Sequence, residues 1–431
     1  MKSLKGIYYL LVKELIVIAI CAFIGVVALG VVSFIPNYYM YDNTIEASTF
    51  LYNKGLGAHI WEGVGESMLD IFTDGLMLNT AYTETKDKIR DVLLCTRVHV
   101  DELDPMSALY EAVVLSNDNY VTITYGKYWH GYQIILRPLL CVFTYSDIYQ
   151  INMIFQLALV FTFTYLLAKS EERKLIIPFF GMYIFLSPIS LFSCLQYSAC
   201  FYIMMFALIA LIALKKYLND ATRNYLFLLT GISTAYFDLL TFPLITLGVP
   251  LIAYLGMECM QGTRLTAAIC KSGGGQKKGC LFLVYTASWC IGYAGMWASK
   301  WIIATILTDE NVIYNAFLSI RNRSDFSREY SYIETLKRNI GFCNKRIYFV
   351  ALICLAVLLI ILKIKKYNII DKTLLPCTCV LLFASIYPFI WYFFTENHSS
   401  IHYWFTYREL AISVFGILMI CVINVKRGNV L

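Results

Sequence analysis

Long apolar runs separated by short charged segments dominate the chain, and their length decides what they are. A helix needs roughly 20 apolar residues to cross the hydrocarbon of a bilayer. Such runs stand at 15–35, 149–168, 175–193, 199–215, 225–238, 241–256, 280–298, 347–363, 374–393 and 409–425. The pattern predicts an all-α polytopic membrane protein of about ten transmembrane helices, because only a helix or a closed barrel satisfies its own backbone in lipid. The fifth and sixth runs are short and predict helices broken around Asp238-Leu-Leu-Thr-Phe-Pro243. The first is too long for a cleavable leader, and no small-residue cleavage site accompanies it.

Charge sets the expected orientation. Lys2, Lys5 and Lys13 precede the first run, and basic clusters follow at 169–174, 215–223, 264–278, 363–372 and 426–427. These short segments carry more than half of the 35 Lys and Arg, which places them and both termini in the cytoplasm by the positive-inside rule. The expected layout is a first transmembrane helix (1–35), an extracytoplasmic loop with juxtamembrane helices (36–148), helices two to seven (149–298), a second such loop (299–346) and the last three helices (347–431). A third extracytoplasmic stretch, Glu396–Arg408, separates the final two. All five histidines fall on that outer face.

Composition narrows the classes. Hydrophobic residues make up 59% and charged residues 15%, against about 25% charged in a soluble domain. That excludes a soluble enzyme, a disordered chain and a nucleic-acid binder; the cations are spread along membrane edges. The 33 Tyr and 28 Phe suit interfacial belts or a cavity facing lipid or sugar. The 14 cysteines mostly sit in apolar runs and form no disulfide framework; a bond between Cys95 and Cys343, both in polar stretches, stays open.

Four segments carry candidate chemistry. The first is a helix expected over 64–79, with Val64, Met68, Ile71, Phe72 and Leu76 at helical spacing, lying apolar side down on the membrane. Glu66, Asp70 and Asp74 recur every four residues on another side. They form either a solvated acidic face or a base aimed into a cavity, with Asp74 as the base and Asp42, near the membrane edge, as its competitor. The second runs Tyr125-Gly-Lys-Tyr-Trp-His-Gly-Tyr132 and on to Arg137. Tyr128, Trp129 and His130 suit a sugar ring as well as an aromatic belt. Arg137 opens an apolar stretch and must snorkel or find an anion. The third is the broken pair, where Asp238, with Gln196 on a neighbouring turn, faces a cavity or a structural partner.

The fourth is Glu396-Asn-His-Ser-Ser-Ile-His402, followed by Tyr407 and Arg408. His398 and His402, four apart, would bind a divalent metal with Glu396, but no further ligand is near. With Tyr407 and Arg408 they better suit a lipid phosphate. No cofactor is expected. A further amphipathic piece near Tyr332–Ile340 aligns Ile333, Leu336 and Ile340.

The layout resembles the GT-C superfamily of membrane glycosyltransferases, with its large first external loop, a catalytic carboxylate in that loop and later loops near the donor. Tyr128-Trp-His-Gly-Tyr132, Phe237-Asp-Leu-Leu-Thr241 and Asn397-His-Ser-Ser-Ile-His402 are similar to motifs of bacterial multi-pass proteins. The resemblance implies a polyprenyl-phosphate sugar as donor, a glycan or lipid-linked acceptor, membrane lipids as surroundings, and a bacterial plasma membrane. Asp74 answers to the family's carboxylate by loop only, and it lies farther from the first run than the family's pattern, which keeps Asp42 in play. A transporter or flippase, or a polymerase or ligase, of lipid-linked saccharides is the alternative.

Overall fold

Hydrocarbon offers a backbone no hydrogen-bond partner but itself, and the chain is accordingly helical almost throughout. The computed structural model describes residues 2–261, 281–324, 330–342 and 375–424. The expected run at 347–363 and Cys343 lie outside them, and Cys95 is a free, buried thiol. Six helical stretches among the described residues are long and apolar enough to cross a membrane: Tyr8–Ser33, Tyr145–Lys169, Leu195–Ala213, Leu281–Leu307, Leu375–Phe394 and Tyr403–Ile423. The protein is a polytopic α-helical membrane protein.

In chain order, α1 (Lys2–Ser33) leads into a module of α2 (Tyr41–Lys54), α3 (Ile71–Tyr82), α4 (Lys88–Leu94), α5 (Pro105–Val113) and α6 (Gln133–Leu140). A two-stranded antiparallel ribbon, β1 (Arg97–His99) with β2 (Val121–Ile123), pairs Val98 with Thr122. Then come α7 (Tyr145–Lys169), α8 (Ile176–Phe185), α9 (Pro188–Phe192), α10 (Leu195–Ala213), α11 (Asp220–Phe237) and α12 (Ile245–Gln261). Beyond the second described segment's start lie α13 (Leu281–Leu307) and α14 (Val312–Ser324), followed by α15 (Tyr332–Phe342). The last segment holds α16 (Leu375–Ser385), α17 (Tyr387–Phe394), α18 (Glu396–Ile401), α19 (Tyr403–Thr406) and α20 (Ala411–Asn424).

Two local expectations are corrected, and one helix docks in a way the pattern left open. The helix expected over 64–79 begins only at Ile71, where Asp70 caps it through Thr73 N at 3.1 Å. Residues 58–69 instead fold back on themselves, with Leu69 N donating to Ala58 O at 2.8 Å. Nor does α3 lie on a surface; Ile71 and every residue from Asp74 to Ala81 is buried. The run at 175–193 is not one helix, because Ser187 adopts a left-handed φ of 58° and Pro188 starts a new one. Finally, α15 docks by its polar side. Thr335 meets Ser400 at 2.5 Å and Asn339 donates to Ser399 O at 2.9 Å, while Ile333 and Ile340 face outward.

The helices approach closest where side chains vanish. A Cβ on Gly231 of α11 would stand 2.2 Å from Trp289 O of α13, and one on Gly292 would stand 2.3 Å from Leu228 O. Small residues of this kind let membrane helices pack backbone to backbone. Gly231→Ala and Gly292→Ala should each destabilise the fold by about 1–3 kcal/mol, the usual cost of overpacking. Thermal unfolding in detergent checks this; an unchanged midpoint for both would refute the close contact.

Candidate functional site

The module between the first two spans is built by short polar side chains that close helix ends. Asp87 caps α4 through Arg90 N, and Asp104 caps α5 through Met106 N and Ser107 N, ahead of Pro105 at the first helical position. Thr144 and Asp147 form a reciprocal box at the start of α7, and Glu46 accepts from Tyr145 N at 3.1 Å. This scaffold sets α3 against the N-terminal end of α10.

Two neighbouring cavities meet there. One, of about 440 Å³, is an apolar groove between α6, α7 and α10. Its walls include Ile135, Leu139, Phe155, Phe206 and Phe237. Phe155 and Phe206, on two of the spans, are 47% and 50% exposed, so the groove opens on the lipid-facing surface. The other, of about 370 Å³, is the more polar of the two, with charged and polar side chains set among apolar ones. It draws Asp70 from the first module, Tyr125 and Tyr128 from the stretch before α6, Arg323 from α14, and His398, His402 and Trp404 from the segment between the last two spans. Gln196 and Leu239 line both. Gln196 is 4% exposed, and its side-chain Oε1 has no hydrogen-bond partner among the described residues.

The carboxylate in this cavity is Asp70. Thr73 takes one position on each of its oxygens, the backbone N–H at 3.1 Å and the hydroxyl at 3.0 Å. The Trp404 indole also reaches this carboxylate, and of the about four positions a carboxylate offers, not all are taken among the described residues. Burial, with the nearby Asp74 charge adding to it, pushes the Asp70 carboxyl up to about 6. Asp74 fares differently. Its four positions are filled by the Tyr149 hydroxyl at 2.7 Å, Leu195 N at 3.0 Å, Gln196 N at 2.9 Å and the Cys194 thiol at 3.5 Å. It closes the first turn of α10 from a distant helix, a place that suits negative charge. Burial raises its carboxyl too, but no position is left to take a proton from a ligand.

Opposite Asp70, the Arg323 guanidinium donates to the Tyr128 hydroxyl at 2.5 Å and lies over its ring. His398 Nε2 stands 2.9 Å from Leu240 O, which fixes the proton on that nitrogen. Burial, then the His402 and Arg323 charges, holds His398 well below the usual histidine range, and burial holds His402 at about 4. Both rings are therefore neutral at pH 7.

The rest of the expected set is placed elsewhere. Asp42 is exposed on the first turn of α2. Trp129 donates through its indole N–H to Met296 O at 2.7 Å, tying the module to α13. His130, at a left-handed φ of 56°, is buried between the Tyr132 hydroxyl and Tyr125 O. Arg137 spends Nε on Val32 O at 3.0 Å, one terminal nitrogen on Ile35 O at 2.6 Å and the other on Ala81 O. Asp238 is buried and turned onto Thr241 N at 3.0 Å. Glu396 and Tyr407 are buried outside the polar lining. Arg408 is fully buried, donating to Leu186 O, Trp404 O and the Ser190 hydroxyl and stacked on Tyr197. So Tyr128, Gln196, His398 and His402 line the cavity, whereas Asp70 and Arg323 replace the carboxylate and cation that sequence reasoning favoured. The Asp70–Thr73 cap spacing was a readable signal; the basic run Arg321-Asn-Arg-Ser-Asp325 was visible as one that could meet acidic lipids or a polyanionic acceptor, but no specific chemistry marked Arg323 in it. Among the described residues no group of three or more His, Cys, Asp or Glu stands close enough to hold a metal ion.

No family model, curated protein or solved structure matches this chain.

The two carboxylates are separable by stability. Asp74→Asn puts an amide N–H among four donors and should cost about 1–3 kcal/mol, as for a buried group left unpaired. Asp70→Asn keeps an equally good helix cap and should leave the unfolding midpoint nearly unchanged. Thermal unfolding of both variants in detergent tests this; equal losses would refute the assignment.

Proposed function

We propose that the chain is an integral membrane glycosyltransferase of the GT-C kind, moving a sugar from a polyprenyl-phosphate donor to an extracytoplasmic glycan or lipid-linked acceptor. The observation that carries it is the union of an apolar groove open to lipid with a polar cavity holding a carboxylate and a guanidinium, joined at Gln196 and Leu239. That shape fits an amphiphile whose hydrocarbon tail lies in the groove and whose charged head reaches the cavity. In this reading the chain crosses a bacterial plasma membrane about ten times, with both termini cytoplasmic, by span length and the positive-inside rule.

The chemistry is a direct displacement. Asp70 takes the proton of an acceptor hydroxyl as its oxygen attacks the anomeric carbon. The bond from that carbon to the phosphate oxygen breaks, and the lipid phosphate leaves with the electron pair. Arg323, poised by Tyr128, meets the charge developing on that oxygen. Neutral His398 and His402 and the Gln196 amide oxygen serve as hydrogen-bond partners for sugar hydroxyls.

Asp70 must be ionised to act as the base. Its carboxyl stands at about 6, so the active fraction is full well above that pH, half at it, and tenfold lower for each unit further down. Burial holds His398 well below the usual histidine range and His402 at about 4, so both stay neutral while Asp70 titrates. The test is sugar transfer from a panel of undecaprenyl-phosphate-linked hexoses and pentoses across pH. We expect kcat/KM to fall on the acid side with a midpoint near 6, Asp70→Asn to lose about 10²–10⁴-fold, and Arg323→Ala to lose activity with the same fold stability. Full activity in Asp70→Asn would remove the base. Binding of these lipids without any transfer would turn the reading into lipid-linked saccharide transport.

A further inference from the structure

The polar cavity has a second apolar edge, separate from the groove. The stretch 56–76 contributes Leu56, Met68, Leu69, Ile71, Phe72 and Leu76 to the cavity wall, and only Asp70 and Thr73 in it bring polar side chains. Leu56 is 59% exposed and Phe72 46% exposed, so they form its rim; neither lines the groove. A mouth built for a water-soluble glycan would show hydroxyls and charges to solvent. This one shows aliphatic and aromatic carbon, which is expensive to leave against water and cheap against lipid.

The position of the rim agrees with its chemistry. Leu56 follows directly on α2, and α2 is fastened over the N-terminal end of the span α7. Asn43 donates to Leu140 O at 2.8 Å, Glu46 accepts from Tyr145 N at 3.1 Å, and the Lys54 ammonium lies 5.0 Å from the Tyr149 ring centre. The rim thus stands at the end of a span, where the hydrocarbon gives way to headgroups. Tyr38, Tyr39, Tyr52 and Trp61 are exposed in the same part of the chain, the residue types that settle at a membrane interface.

We infer that the acceptor is itself an amphiphile, a saccharide carried on a hydrocarbon chain, and that it reaches Asp70 across the Leu56–Phe72 rim while the donor's tail occupies the groove. The inference rests on the transferase reading and narrows its acceptor to one class. Two lipid substrates then approach one polar chamber from two sides. Each keeps its chain in the bilayer and projects only its head inward. The acceptor hydroxyl arrives beside Asp70, on the helix whose cap Asp70 forms.

The experiment compares methyl and dodecyl glycosides of one sugar as acceptors, with the donor that the panel selects, for wild type, the double variant Leu56→Ser/Phe72→Ser and the conservative pair Leu56→Ile/Phe72→Leu. The dodecyl acceptor should have a KM at least about tenfold below that of the methyl one, the gain expected when a chain holds its head near the site. The serine variant should erase most of that difference by raising the dodecyl KM more than the methyl KM, and the conservative pair should regain it. Equal KM values for both acceptors in wild type, or a chain-length effect untouched by the serine variant, would overturn the inference and spare the transferase. A wild type that transfers to neither acceptor would overturn the transferase reading itself. A separate readout needs no catalysis: a bimane on Leu56→Cys in phosphatidylcholine vesicles should be quenched by doxyl-labelled lipid. Quenching by aqueous iodide alone would place the rim in water and refute the lipid approach.

Discussion

Every helix that ends near hydrocarbon leaves about four N–H or C=O groups without partners, and in this protein distant charged side chains close them. Acids serve the N-terminal ends. Asp74 closes α10, Glu46 closes α7, and Glu409 accepts from Leu244 N just ahead of α12. Arginines serve the C-terminal ends. Arg137 reaches carbonyls at the ends of α1 and α3, and Arg408 reaches Leu186 O at the end of α8. The signs follow the helix dipole, positive at the N-terminus and negative at the C-terminus. Water cannot do this work in a dry interior, so the charge is drawn from wherever the chain can bring it.

This division of labour sorts the charged residues into two populations. Those turned onto the backbone of other helices hold the fold, and Asp74, Arg137 and Arg408 belong here. Those that line the cavity define the chamber. Asp70 caps its own helix through Thr73, and Arg323 donates to the Tyr128 hydroxyl. Gln196 joins both populations. Its backbone N–H binds Asp74, so the structural cap also fixes the residue shared by groove and chamber. The lining of the chamber is thereby coupled to the packing of α3 on α10.

Periodicity along the sequence was a good guide wherever lipid imposes it. The apolar runs beginning the chain and those at 149–168, 199–215 and 280–298 overlap observed helices to within a few residues, because a spanning helix needs both length and uniform polarity. It failed where packing overrides pattern. Val64 and Met68 continue the stripe of α3 on paper, yet the chain turns back before Ile71. On α15 the pattern left the docking side open: Thr335 and Asn339 found hydrogen-bond partners in the segment 396–401, Leu336 packs against the core, and Ile333 and Ile340 stay exposed.

Composition and span length by themselves made this a many-helix membrane protein, and the clustering of tyrosine, histidine and acid between the spans marked the segments that build the chamber. They did so because solvent selects residue types locally, position by position. Which carboxylate closes a distant helix and which lines the chamber was settled only by contacts across long stretches of chain. Asp70 and Asp74 are four residues apart with the same side chain; Asp74 meets the amides of a helix some 120 residues later, and Asp70 lines the cavity.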